Sequence, residues 1–171
     1  RRFLERTLRD YRRDGIDLDE DTRRKVAELS NRESELARQF VRAITTDVRE
    51  LRFPVAELEG VPLDALHSPG PDEHGCVTVG TRPSDLRAVL DHARQSHVRR
   101  ALTEQLQRRG SPHNERLLEE LLAVRHELAG LLGYANASEL QTADAMSGSP
   151  AVVQSFLDDV GAATRAGAER E

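Results

Sequence analysis

Along most of this chain the apolar residues recur every third or fourth position, the spacing that gives an α-helix one apolar face. The longest such stripe is Val26, Leu29, Leu36, Phe40, Ile44, Val48 and Leu51, at steps of three, four or seven. It predicts one long helix over about 21–52, capped by Asp19 or Asp21 and closed where Pro54 disfavours helix at Phe53. Such a helix is about 48 Å long at 1.5 Å per residue. Its stripe is worth on the order of 10–20 kcal/mol gross when buried, before chain entropy is subtracted. A stripe of that size requires a partner surface.

Shorter elements flank it. Leu4, Leu8 and Tyr11 share a face on a first helix that Asp14-Gly15 stops, because glycine tolerates the left-handed position past a helix end. Residues 55–60 and 61–66 read as brief helical turns, and the Pro- and Gly-rich stretch from His67 to Gly75 as an exposed loop. Cys76-Val77-Thr78-Val79 is the one convincing strand, short and alternating.

Pro83-Ser84-Asp85 opens a helix with Ser84 as its expected N-cap and Leu86, Val89 and Leu90 facing inward. Another helix runs from His97 to Arg109, closed by Gly110. Leu117, Leu118, Leu121, Leu122, Val124, Leu128, Leu131 and Leu132 build a second strongly apolar helix, ended by Gly133. A short helix is expected over Ala137–Met146. Ser149-Pro150 starts the last, with Val152, Val153, Phe156, Leu157 and Val160 as its inner face.

The expected architecture is therefore mainly α: an antiparallel helical bundle with one long helix and one short β element near 76–79. A single partial domain over 1–171 is expected, divided into a long helical pair (1–54), a turn, loop and short-strand insert (55–84) and a helical segment (85–171). Both ends read as cuts through a longer polypeptide, since Arg1 is not Met and 1–8 already has the pattern of helix interior.

Composition narrows the function classes. At 32% charged and 37% apolar the chain has the balance of a helix-rich globular protein, and no apolar run nears the ~20 residues of a membrane span. Arginine supplies all the basic side chains but Lys25, yet 30 acidic residues offset them and the net charge is −5. Neither a nucleic-acid nor a membrane partner is expected. The single Cys76 excludes an internal disulfide and fits a reducing, cytoplasmic setting.

A hydrolytic zinc site of the commonest kind needs His-Glu-x-x-His on one helix, so that both imidazoles project from one face and the glutamate works on the metal-bound water. The six histidines are His67, His74, His92, His97, His113 and His126, and none is four from another. His126-Glu127 begins such a motif, but Gly130 stands where the second ligand belongs. His92 and His97 would be turned about 140° apart on a helix. His67, His74 and Cys76 lie within one loop, a weak metal pattern, and Cys76 has no base or helix N-terminus assigned to activate it. No phosphate loop, dinucleotide fingerprint or nucleophile elbow is present. No catalytic, cofactor-binding or metal-ligating residue is therefore expected in this chain.

The stretch Asn114 to Tyr134, with Leu117-Leu118, Leu121-Leu122-Ala123-Val124-Arg125-His126-Glu127-Leu128-Ala129 and the closing Leu132-Gly133-Tyr134, resembles a block of the zinc metallopeptidase family of thimet oligopeptidase and neurolysin, which includes oligopeptidase A and dipeptidyl carboxypeptidase. Met146-Ser147-Gly148-Ser149-Pro150, Val153 and Phe156-Leu157 continue it. Upstream, Leu4 to Gly15, the helix through Leu36 and Phe40, Leu58-Glu59-Gly60-Val61-Pro62, Val77-Thr78-Val79 and Arg99 to Arg109 follow in the family's order.

The resemblance implies part of a neurolysin-like fold, from the N-terminal half of an intact enzyme that hydrolyses short peptides in a deep channel. That enzyme's zinc ligands and base would lie beyond Glu171, so the zinc-binding catalytic domain is absent here and this chain binds no zinc. Its expected role is channel-wall scaffold, partnered by the rest of its own polypeptide. A free-standing helical interaction module is the alternative, and a catalytically dead relative a third reading.

Overall fold

The structure, a computed structural model, describes residues 2–13, 15–68 and 70–170. It is mainly helical: α1 (Arg2–Arg13), α2 (Glu20–Thr46), β1 (Glu50–Pro54), two 3-10 turns (Val55–Leu58 and Leu63–Ala65), β2 (Cys76–Gly80), α3 (Pro83–His92), α4 (Ser96–Gln107), α5 (His113–Leu131), α6 (Ala137–Thr142) and α7 (Pro150–Ala168). The expected mainly-α class with one small β element holds, and β1 and β2 make a two-stranded antiparallel sheet. The chain divides into two compact units, one of Arg1–Ala37 with Leu118–Glu171 and the other of Arg38–Leu117.

In the first unit α2 and α5 run antiparallel. Lys25 pairs with Glu127 and Arg32 with Glu120, so seven residues up one helix match seven down the other, two helical turns on each. The Arg125 guanidinium adds a 2.7 Å contact to Glu33. On the same two helices Val26, Leu36, Leu121, Leu128 and Ala129 are buried. Asp19 is the N-cap of α2, accepting from the Thr22 amide at 3.0 Å and from its hydroxyl at 2.6 Å. The hydrogen bonds from Thr22 hold the Asp19 carboxyl below its usual range.

The second unit builds its core on the sheet. Leu51 faces Val79 and Phe53 faces Val77 across the antiparallel register, and Ala88, Val89, Val98 and Leu102 of α3 and α4 pack with them. Asp85 is 1% exposed. It accepts from the His67 amide (2.8 Å), the Gly80 amide (2.7 Å) and the Ser84 hydroxyl (3.1 Å), which joins loop, strand end and helix start. Gly60 is obligatory: its φ is +90°, and a Cβ there would stand 2.4 Å from the His92 carbonyl oxygen.

The long helix ends at Thr46, not near 52 as its stripe predicts, and residues 50–54 form a second strand that the apolar spacing had absorbed into the helix. Leu51 satisfies both periods, being three beyond Val48 and two before Phe53. Local chemistry decides between them. The Thr45 and Thr46 hydroxyls donate back to the Arg42 carbonyl (3.1 and 2.8 Å), and Asp47 accepts from the Gly110 amide (2.9 Å) and from Arg49.

Four further expectations need correction. Ser84 is not the N-cap of α3; Arg82 holds that position with Pro83 first in the helix, and Ser84 serves Asp85. Helix α6 stops at Thr142 rather than Met146. The expected inner face of α7 is exposed at Val152, Phe156, Leu157 and Val160, because its main neighbour, α6, has only six residues to cover it. Leu4, Leu8 and Tyr11 of α1, and Leu90 on α3, are exposed too.

Gly60→Ala should lower stability by about 1–3 kcal/mol in chemical denaturation, the cost of forcing a side chain into a left-handed, crowded position. Asp47 and Asp72 are both held below the model-peptide value of 3.8, Asp47 first by the hydrogen bond from Arg49 and Asp72 first by that from the Cys76 amide. The unfolded chain binds the extra protons, so the stability these groups contribute is present above about pH 3.8 and lost as pH falls through their lower folded values. Asp47→Asn should flatten the acid limb of a stability-versus-pH curve.

Candidate functional site

The chemistry-bearing side chains are spread over several elements. His67 and His74 lie exposed in the loop before β2, His92 at the end of α3, His113 at the start of α5 and His126 exposed along it. His97, on α4, sets its Nε2 2.8 Å from a Glu57 carboxylate oxygen. Cys76 is half-buried at the first position of β2, its Sγ 4.0 Å from the His74 carbonyl. In the loop the polar centre is Asp72, which accepts from the His74 and Cys76 amides (2.9 and 3.0 Å) and pairs with Arg52. That makes Asp72 a loop-former. Glu127, beside His126, is taken by Lys25.

Among the described residues no three His, Cys, Asp or Glu side chains converge as a metal site would require. The zinc implied by the family resemblance therefore finds no set of ligands among these described residues. No described helix is long and apolar enough to cross a membrane.

Hollows lie among the described residues of the first unit. One, of about 460 Å³, has Leu128, Leu132 and Leu140 in its wall with Asp10 and Glu33 beside them, and Glu33 is engaged by Arg125. Another, of about 750 Å³, lies between Tyr134, Asn136 and Ser149. Asn136 and Ser149 are both spent as helix caps, accepting from Glu139 N (3.0 Å) and Val152 N (3.4 Å).

The motifs that stood out in the sequence direct the backbone instead. Leu132-Gly133-Tyr134 is the stop of α5: Gly133 has φ +83°, and the Tyr134 amide reaches back to the Ala129 carbonyl at 2.9 Å. Ser149-Pro150 is an N-cap followed by proline in the first turn of α7. Gly60, in Leu58-Glu59-Gly60-Val61-Pro62, passes against the His92 carbonyl. Asn114 anchors the start of α5 by donating to the Phe40 carbonyl at 3.1 Å. Sequence reasoning missed Asp85, Asp47 and Arg109, and no periodicity signals them, because each acts on backbone groups distant in sequence: Asp85 on the His67 amide, Asp47 on the Gly110 amide, and Arg109 on the Ile44 and Thr81 carbonyls.

The class is thus a helical framework in which the recognisable motifs are caps and turns. The sequence model of peptidase family M3 matches residues 89–171. Mitochondrial intermediate peptidase of Phaeosphaeria nodorum is 32% identical over 88% of this chain and 19% of its own length. Oligopeptidase A of Haemophilus influenzae is 31% identical over the whole of this chain and 27% of its own length. Saccharolysin of Saccharomyces cerevisiae is 27% identical over 93% of this chain and 23% of its own length. The chain belongs to the M3 peptidase family of thimet oligopeptidase and neurolysin, and it spans about a quarter of the length of the curated relatives it matches.

Titration of the purified chain with zinc should show no one-to-one uptake by calorimetry. His126→Gln, at an exposed position, should shift stability by no more than about 0.5 kcal/mol.

Proposed function

We propose that this chain is part of the N-terminal, channel-wall portion of a zinc-dependent oligopeptidase that hydrolyses short peptides, partnered by the rest of its own polypeptide. The observation that carries the reading is the coincidence of family and geometry. Blocks matching M3 peptidases form the caps and turns that hold α5, α6 and α7, while no three potential ligands gather among the described residues. In this reading the chain limits which peptides reach the zinc, and the metal ligands and general base belong to other segments of the parent protein. A reducing, cytoplasmic location goes with the single thiol at Cys76.

The test compares the intact parent polypeptide with the 171-residue chain on an internally quenched fluorogenic peptide. The parent should cleave it, lose that activity to a zinc chelator and regain it with added zinc, while the chain alone should be inactive. Cleavage by the 171-residue chain, or a parent indifferent to chelation, would refute the assignment.

A further inference from the structure

Helix α7 carries an apolar seam that its own unit leaves open. Val153, Phe156, Val160, Ala163 and Gly167 follow one another at alternating steps of three and four, the spacing by which one helix packs along another. Leu157 widens the seam, whereas Gln154, Ser155, Asp158 and Arg165 lie on other sides, with Gln154 donating to Asp158 at 2.9 Å. Phe156, Leu157 and Val160 are 64%, 56% and 42% exposed. Single exposed apolar residues are ordinary, but a continuous row of them along a 19-residue helix marks a contact surface.

The seam also has a shape. Its first half is bulky and its second half small, and a Cβ built on Gly167 would meet no atom within 4 Å. A partner must therefore be smaller opposite Phe156 and bulkier opposite Ala163 and Gly167. We propose that the seam is the contact face for another helix of the same parent polypeptide, amphipathic and tapered in the opposite sense. The proposal rests on the reading that the parent is longer than this chain. The M3 match takes in the whole of α7, and the relatives over which this chain aligns in full are roughly four times its length.

A second copy of the chain is the competing occupant. Two antiparallel seams would set Phe156 against Ala163 and Val160 against itself. That row holds five residues, two of them Ala and Gly, against the roughly 20–30 per partner of a stable interface. A segment tethered in the same polypeptide needs far less contact area, because its effective concentration is high.

The experiment places Phe156→Asp, Phe156→Ala, Ala163→Leu and the control Ser155→Asp in the intact parent polypeptide and in the 171-residue chain. In the parent, both seam changes Phe156→Asp and Ala163→Leu should lower the melting temperature by at least about 3 °C, one by burying a charge and the other by overpacking. Phe156→Ala, the milder change that keeps the measurement readable if the Asp variant does not fold, should fall in between, and Ser155→Asp should stay within about 1 °C of wild type. In the 171-residue chain all four should melt as wild type. A parent that tolerates Phe156→Asp and Phe156→Ala as well as Ser155→Asp overturns the proposal. So does a 171-residue chain that sediments as a dimer broken by Phe156→Asp, or a coding sequence that stops at Glu171. Peptide cleavage by the wild-type parent is scored separately, so a failed peptidase assignment and a failed seam leave different signatures.

Discussion

The second unit depends on how α2 is brought to an end. The last carbonyls of a helix have no partner within it and carry a partial negative charge. Here the Arg109 guanidinium donates to the Ile44 carbonyl at 3.0 Å and to the Thr81 carbonyl at 3.1 Å. One cation thus ties the helix end to the residue that follows β2. Just beyond, Asp47 accepts from the Gly110 amide, while the Arg49 amide donates to the Thr81 hydroxyl at 3.0 Å and the Thr81 amide donates back to the Arg49 carbonyl at 2.9 Å. With those bonds made, residues 50–54 extend along β2 and deliver Leu51 and Phe53 to the core. A continued helix would leave Thr81, which is fully buried, without these partners.

The same logic explains why a peptidase-family chain can look chemically silent. Helix caps, left-handed glycines and a buried carboxylate fix where helices start and stop, and such positions leave recognisable motifs whether or not they touch a substrate. Asp85 is the clearest case. A buried carboxylate in a peptidase relative invites a catalytic reading, yet its acceptor capacity is committed to two backbone amides and a hydroxyl that hold β2, α3 and the preceding loop together. A hydrolytic metal centre needs several donors within reach of one point, and no such group is found among the described residues.

Much of this was legible in the chain itself. The helices, their glycine stops, the Asp19 cap and the strand at Cys76 follow from local spacing and from what Gly, Pro and Asp do to a backbone. The family could be named from the order of its blocks. An antiparallel helical bundle was expected, but the pairing of α2 with α5 and its register, Lys25 to Glu127 and Arg32 to Glu120, were not. Surface pairs of that kind are interchangeable in a sequence this rich in Arg and Glu.

What the amino-acid order determined by itself, then, was the set of segments able to bury one face and the points where the backbone must turn. Those are short-range properties, set by side-chain period and by allowed dihedral angles. Only the tertiary structure decided that Leu51 belongs to a strand, that Asp85 is an internal clasp, and that the apolar side of α7 has no cover within its unit. Each of these turns on which distant backbone amide, carbonyl or side chain arrives alongside. A period along the chain carries no information about that.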